Sequence, residues 1–316
     1  MRLSFLCGSL AIALSACDPS VDLGSTGTPG SSGSAVPAAA GGDGTKTPSN
    51  SLPGVSSGAH GTGLHSVAIH LRSTAAPVTH ADDLSGRTPA LQKLAFGGLD
   101  LGKSATLPSG GSSAPLVELG GADVEATIND GSDTVVARVS ADRLAIGTYQ
   151  VARIYVTHVT SSIDATFHPA TGPAVFGVFT HRLVLSESSL DGVPAYAGDL
   201  HHTFVAGGST LAKFDCSTNS GDACPDVLPW SRGALALTID KGIGWYELPV
   251  SLTVDASFAQ HDSDLFFDVN VNEDVRWQDT SAAGFSPRVY DTTTTSYEPV
   301  MQFGPNSITA QLVAKP

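Results

Sequence analysis

Between Leu265 and Trp277 the chain reads LFFDVNVNEDVRW, and Leu265, Phe267, Val269, Val271, Val275 and Trp277 all fall on one parity. A period of two places those six side chains on one face of a strand, and a sheet with a buried face is what satisfies them. Glu273 is the one exception on that parity, and the opposite parity, after Phe266, carries Asp268, Asn270, Asn272 and Asp274, so the segment has one largely apolar face and one oxygen-rich face. From His65 onward the same short period recurs. Runs of Val, Ile, Thr, Tyr and Phe are separated by Gly, Pro, Asn and Asp clusters, and long 3.6-residue stripes are absent. The expected fold is all-β: an antiparallel β-sandwich over residues 64–316, as one large sandwich or two smaller ones divided near residue 170. About 250 residues can bury a sizeable core either way.

Individual strands follow from the same pattern. In residues 124–140, VEATINDGSDTVVARVS, two alternating runs flank Asp130-Gly131 and predict a hairpin. Residues 234–255 predict a second hairpin. There Leu235, Leu237 and Ile239 alternate, Asp240 to Gly244 turns, and Leu248, Val250, Leu252 and Val254 share a face. Pro249 within that run cannot donate to a ladder, which points to an edge strand or a bulge. Residues 146–159 are apolar on both faces, as a central strand is. Their opening, Leu144-x-x-Gly147-x-Tyr149, resembles the strand-entry motif of transthyretin-like β-sandwich modules. Thr88 to Phe96 puts Leu91, Leu94 and Ala95 at helical spacing and predicts one short helix, followed by a Gly- and Ser-rich loop from Gly97 to Pro115.

The start of the chain decides its address. Met1 and Arg2 precede a mostly apolar run from Leu3 to Leu14, too short to span a bilayer and shaped like a signal peptide over residues 1–16. Leu14-Ser15-Ala16-Cys17 then resembles the lipobox of bacterial lipoproteins. That resemblance implies acylation of Cys17, cleavage before it and a lipid anchor in the bacterial cell envelope, at the outer membrane or a periplasmic face. From Cys17 to residue 63 the chain is Gly, Ser, Thr, Pro and Ala with almost no large apolar residue, the composition of a disordered linker. As a flexible coil it would reach roughly 35 to 40 Å.

Sixteen Lys and Arg stand against 30 Asp and Glu, a formal net charge of −14. No basic run occurs, which argues against nucleic acid and anionic lipid surfaces as partners. Cys216 and Cys224 enclose a short polar loop and, in an oxidising compartment, are expected to form a disulfide.

Candidate chemistry is sparse. Residues 97–104 match the phosphate-loop pattern GxxxxGK[ST], but Pro108 to Gly111 leave no room for the helix that pattern needs, so Lys103 is read as a solvent-facing loop residue. Asp268, Asn270, Asn272 and Asp274 overlap the start of a calcium loop, although Glu273 stands where that loop needs Gly and Asp279 where it has Glu. Calcium binding is the alternative to a solvated strand face. His201 and His202 are neighbours and point to opposite faces of a strand, while His158, His168 and His181 lie scattered. Trp230, Tyr290 and Tyr297 read as loop aromatics able to stack on sugars. No nucleophile elbow is present, and none of the motif sets of kinases, β-lactamases or zinc proteases. The expected function is a lipid-anchored, non-catalytic binding or structural module with an envelope or extracellular protein or glycan as partner, and with no cofactor unless calcium. The alternatives are a calcium-stabilised or carbohydrate-binding module, and a hydrolase whose site assembles only in three dimensions.

Overall fold

The computed structural model describes residues 65–108, 115–118, 124–190, 193–217 and 235–316. The signal, Cys17 and the linker lie outside them. The described residues form one compact unit and are all-β.

A nine-stranded sheet is built on β6 (Gly147–His168), whose 22 residues are long enough for two strands to share each edge. Along one edge β13 (Ile243–Val254) pairs with the first half of β6 and β7 (Val175–Val184) with the second. Along the other, β3 (Leu91–Gly102) is followed by β16 (Tyr290–Thr293). The sheet continues from β7 to β10 (Leu200–Ala206) and β11 (Ser209–Cys216), from β13 to β12 (Ala236–Asp240), and from β3 to β4 (Val124–Thr127). A four-stranded sheet runs β18 (Ser307–Ala314), β14 (Ser263–Asn270), β1 (Ser66–Thr74), β5 (Asp133–Ser140). A three-stranded sheet runs β17 (Val300–Phe303), β15 (Val275–Trp277), β2 (Ser85–Arg87), and β8 (Ser188–Leu190) with β9 (Val193–Ala195) forms a ribbon. Pairing is antiparallel except between β1 and β14 and between β6 and β16.

One apolar cluster joins these layers, with Ile69, Leu71, Phe267 and Val269 from the four-stranded sheet and Leu94, Ile154, Ile163 and Phe179 from the nine-stranded one. The six same-parity apolar residues, Leu265, Phe267, Val269, Val271, Val275 and Trp277, are at most 1 % exposed. Residue 170 lies in the turn between β6 and β7, and β7 pairs along its whole length with the second half of β6, so the chain on both sides of it shares one sheet.

Where β6 changes partner from β13 to β7, Ser186 closes the seam. Its hydroxyl donates to the Val156 carbonyl at 2.8 Å and accepts from the Gly244 amide at 2.8 Å. Gly244 is required there, because a Cβ would sit 2.5 Å from the Leu185 carbonyl oxygen. The β12–β13 hairpin turns through Lys241 and Gly242 at φ 51° and 75°, the left-handed pair of a two-residue turn. The ladder of β13 on β6 is interrupted by a bulge between Pro249 and Leu252.

Two expectations are corrected. Thr88 to Phe96 contains no helix, and the loop predicted from Gly97 does not start there, because β3 runs from Leu91 to Gly102 along the spine. Burial of Leu94, Ala95 and Phe96 between two layers overrides a short local helical spacing. Residues 124–140 do form two strands, but not a hairpin: β4 pairs with β3 and β5 with β1, in different sheets. The turn between them is held instead by the end of β1, where the Gly131 amide donates to the Ser73 carbonyl at 3.0 Å and Asp130 accepts from the Ala75 amide at 2.6 Å.

Candidate functional site

The oxygen-rich parity of β14 does not converge on a point. Asp268 accepts two bonds from the Arg72 guanidinium, at 2.7 and 2.9 Å. Asn270 donates to the Ala76 carbonyl at 3.0 Å and accepts from the Asn272 amide at 3.1 Å. The Asn272 side-chain oxygen accepts from the Val78 amide at 2.9 Å. Asp274 is 2 % exposed and accepts from the Gln92 side-chain amide at 2.6 Å, so this end of the stripe is not a solvated face. Each oxygen group fastens a different neighbour to β14. Among the described residues no group of three or more His, Cys, Asp and Glu is placed to hold a metal ion.

The loop aromatics also fall differently. Tyr290 is fully buried in β16, pinned to β6, and its hydroxyl donates to the Glu298 carbonyl at 2.9 Å. A sugar cannot stack on it. Tyr297 is half-buried and lies on the His202 ring at 4.8 Å. Trp230 and Cys224 lie outside the described residues, and Cys216 ends β11, partly buried against the core. Lys103 is exposed and donates to the Ile146 carbonyl at 2.6 Å, with Gly97 to Gly102 extended in β3 and not wrapped as a phosphate cradle.

What the structure assembles instead is a cleft of about 650 Å³ where edges of three sheets meet. One wall is the irregular segment Val78 to Asp82. The others are the bulged stretch of β13 at Leu248 and Pro249, Gln302 of β17, and the entry to β18 from Asn306 to Thr309. The size suits a small ligand or a short piece of a larger one. Asp82 pairs with the buried Arg276 guanidinium, and His80 Nε2 lies 3.9 Å from a Glu273 carboxylate oxygen. The Gln302 side-chain oxygen is buried and reaches no hydrogen-bond donor among the described residues. The described lining thus combines apolar side chains, hydroxyls and amides, with no Phe, Tyr or Trp. Such a lining has room and an acceptor for a neutral group that donates a hydrogen bond.

A second feature lies on the other face of β17. His181 and His202 stand opposite one another in the β7–β10 ladder, 3 % and 2 % exposed, with Nδ1 atoms 3.1 Å apart. Phe179, Tyr290, Tyr297 and Phe303 surround them. Burial pushes His202 down from 6.5 to about 4 and His181 well below 6.5, so both rings are neutral in the folded protein at neutral pH. The sequence did hold a signal for this pair: His181 shares its parity with Phe179 and Leu183, and His202 with Leu200 and Phe204. Reading the His residues only for ligand spacing missed it.

His168 forms a third arrangement. Its Nε2 lies 2.7 Å from Asp291, which is 1 % exposed and also accepts from the Ser286 amide at 2.7 Å. A buried carboxylate orienting a partly exposed imidazole supplies two of the three members of a nucleophilic triad. The ring's other described contact is Phe285 at 5.1 Å, so no nucleophile completes it among the described residues. Comparison with known protein families, with characterised proteins and with solved structures gives no match.

Proposed function

We propose that this protein is a lipid-anchored binding module of the bacterial cell envelope, non-catalytic, whose ligand site is the cleft between Val78–Asp82 and the β17–β18 corner, and whose ligand is an extended, uncharged stretch of another protein. The carrying observation is the chemistry of the lining: a buried Gln302 acceptor without a partner among the described residues, set among apolar walls, with Asp82 already paired to Arg276. A peptide backbone supplies the missing N–H donor. β18, paired on one side by β14, is an edge strand beside it. Glycans are disfavoured because no described lining residue offers a flat carbon ring to stack on.

Thermal unfolding of the purified chain against neutral peptides, charged peptides and oligosaccharides tests this. A true ligand at a hundredfold excess over its dissociation constant adds about 2.7 kcal/mol, enough to move the midpoint by several degrees. The expected result is a shift with neutral peptides that Gln302→Leu abolishes. A shift with oligosaccharides alone, or one that survives Gln302→Leu, overturns the assignment.

Lipidation at Cys17 rests on the lipobox residues and the apolar run before them. Wild-type protein should fractionate with membranes and carry acyl mass, and Cys17→Ala should do neither. A Cys216–Cys224 disulfide rests on their spacing and on Cys216 at the end of β11, and peptide mapping without reductant should recover the linked pair.

A further inference from the structure

A neutral imidazole has one N–H and one acceptor nitrogen, so at 3.1 Å one of the two facing Nδ1 atoms donates and the other accepts. Both Nε2 atoms are buried without a hydrogen-bond partner. A first proton goes to the free Nε2 of the donor ring, which leaves the bond between the rings in place but sets a cation among apolar rings. A second proton, on the acceptor Nδ1, turns it into a donor, and the two N–H groups then oppose each other.

Among the described residues no charged group faces the pair, and β6 places opposite His181 only the hydroxyl of Ser161. On β7, Arg182 lies on the opposite face of the strand. On β10, His201 also faces the other way and lies 3.0 Å from Asp215 of β11, a carboxylate that Lys213 shares at 2.6 Å. From β11 the pair's own side receives Phe214, which packs against Phe179 and Tyr297. From β16 and the segment after it come Tyr290 and Tyr297. The carboxylate of Asp291 is taken by His168 and the Ser286 amide, and that of Glu298 accepts from the Thr280 and Asp291 amides at 2.8 and 2.9 Å. From β17 comes Phe303.

Three of the rings around the pair, Tyr290, Tyr297 and Phe303, belong to one stretch of chain, residues 290–303. Tyr290 packs on Phe179 at 4.9 Å, Tyr297 on His202 at 4.8 Å and Phe303 near His181 at 5.9 Å. Gln302, the neighbour of Phe303 in β17, points to the opposite side, into the cleft. The strap that seals the imidazoles is therefore also a wall of the binding site.

We propose that His181 and His202 form a proton-operated latch under the 290–303 strap: neutral, the pair holds β17 in place, and protonated, it releases β17 and with it the Gln302 wall, so that the cleft loses its ligand in acid. The ligand step rests on the cleft reading above, whereas release of the strap does not.

The test is hydrogen–deuterium exchange of the full-length chain at pH 7.5 and 4.5, corrected for the intrinsic chemical rate, in wild type and in a His181→Leu/His202→Leu double variant. Amides of residues 297–303 should exchange at least tenfold faster in acid in wild type and less than twofold faster in the double variant, while the spine β6 stays protected in both. No acceleration in wild type overturns the latch, as does equal acceleration in the double variant. Should the double variant fail to fold, the imidazole C2–H resonances of wild type decide. Loss of strap protection must track protonation of these two rings, and titration of both with the strap still protected sinks the idea. A strap that opens on schedule while peptide shifts stay independent of Gln302 condemns only the cleft reading.

Discussion

Replacing His181 and His202 together by leucine should flatten the acid side of the stability curve. Both rings are neutral when folded, with His202 lowered from 6.5 to about 4. The unfolded chain takes up its protons near 6.5. Below that pH the unfolded state binds more protons than the folded one, so stability is complete above 6.5 and drains as pH falls towards 4. For His202 alone the gap is worth about 3 kcal/mol in the limit, of which about 2 kcal/mol is gone by pH 5. That corresponds to roughly 4 to 8 °C in the midpoint for a domain of this size. Asp215, Asp262 and Asp264, lowered by their own partners, lose stability at more acid pH, and Glu298, raised by burial, acts in the opposite sense. All four remain in the variant and cancel in the comparison. Replacing both partners at once avoids leaving one imidazole alone and unpaired. The assay is urea unfolding at pH 7.5 and 5.0, followed by tryptophan fluorescence. The variant should lose at least about 2 kcal/mol less than wild type over this interval. Equal losses in the two proteins would refute the linkage.

Other consequences are local. Phe179→Ala removes a fully buried ring that touches His181, His202, Tyr290 and Tyr297, and should cost about 3 to 5 kcal/mol in urea unfolding. Ser186→Ala strips the seam of both its bonds, to the Val156 carbonyl and from the Gly244 amide, and should cost about 2 to 4 kcal/mol by the same assay. Calcium or EDTA should leave the thermal midpoint unchanged, because Asp268 is committed to Arg72. Asp268→Ala should cost only about 1 kcal/mol, since that pair is partly solvated.

How much of this was legible in the sequence depended on the range of the deciding interaction. The parity of Leu265 to Trp277 foretold a buried face because burial acts on each residue alone. The β12–β13 hairpin and the bulge at Pro249 were legible because a turn and a missing donor are local facts. The segment 124–140 looked like the same object and is not. Alternation states that a strand has two faces, but it is silent on whether the next strand pairs beside it or crosses to the facing sheet. That choice was made by Ser73 and Ala75, more than fifty positions away in sequence. Thr88 to Phe96 failed for a related reason: Leu91, Leu94 and Ala95 fit a helix locally, and the β6 ladder that claims them is equally remote. The cleft was beyond reach, since its walls at Val78 to Asp82 and Gln302 to Thr309 meet only once β1 and β14 are laid side by side.

The acidic and amide stripe, the most conspicuous polar pattern in the chain, has a use that calcium loops do not suggest. Residues 75–84 have no regular ladder, so their backbone groups need partners from elsewhere. The β14–β15 stretch supplies them: Asn270 takes the Ala76 carbonyl, Asn272 takes the Val78 amide, and the Arg276 guanidinium takes the Leu84 carbonyl at 2.7 Å while pairing with Asp82. Asn306, at the entry to β18, donates to the side-chain oxygen of the same Asn270 at 3.2 Å, so both walls of the cleft are fastened to one strand. Ligation and scaffolding draw on the same residue types at the same spacing. They differ only in whether the oxygens converge on an empty point or diverge onto backbone, and here they diverge. The stripe is therefore the frame of the proposed site, and the site itself lies one step outward, where the fastened segments leave the Gln302 acceptor unfilled.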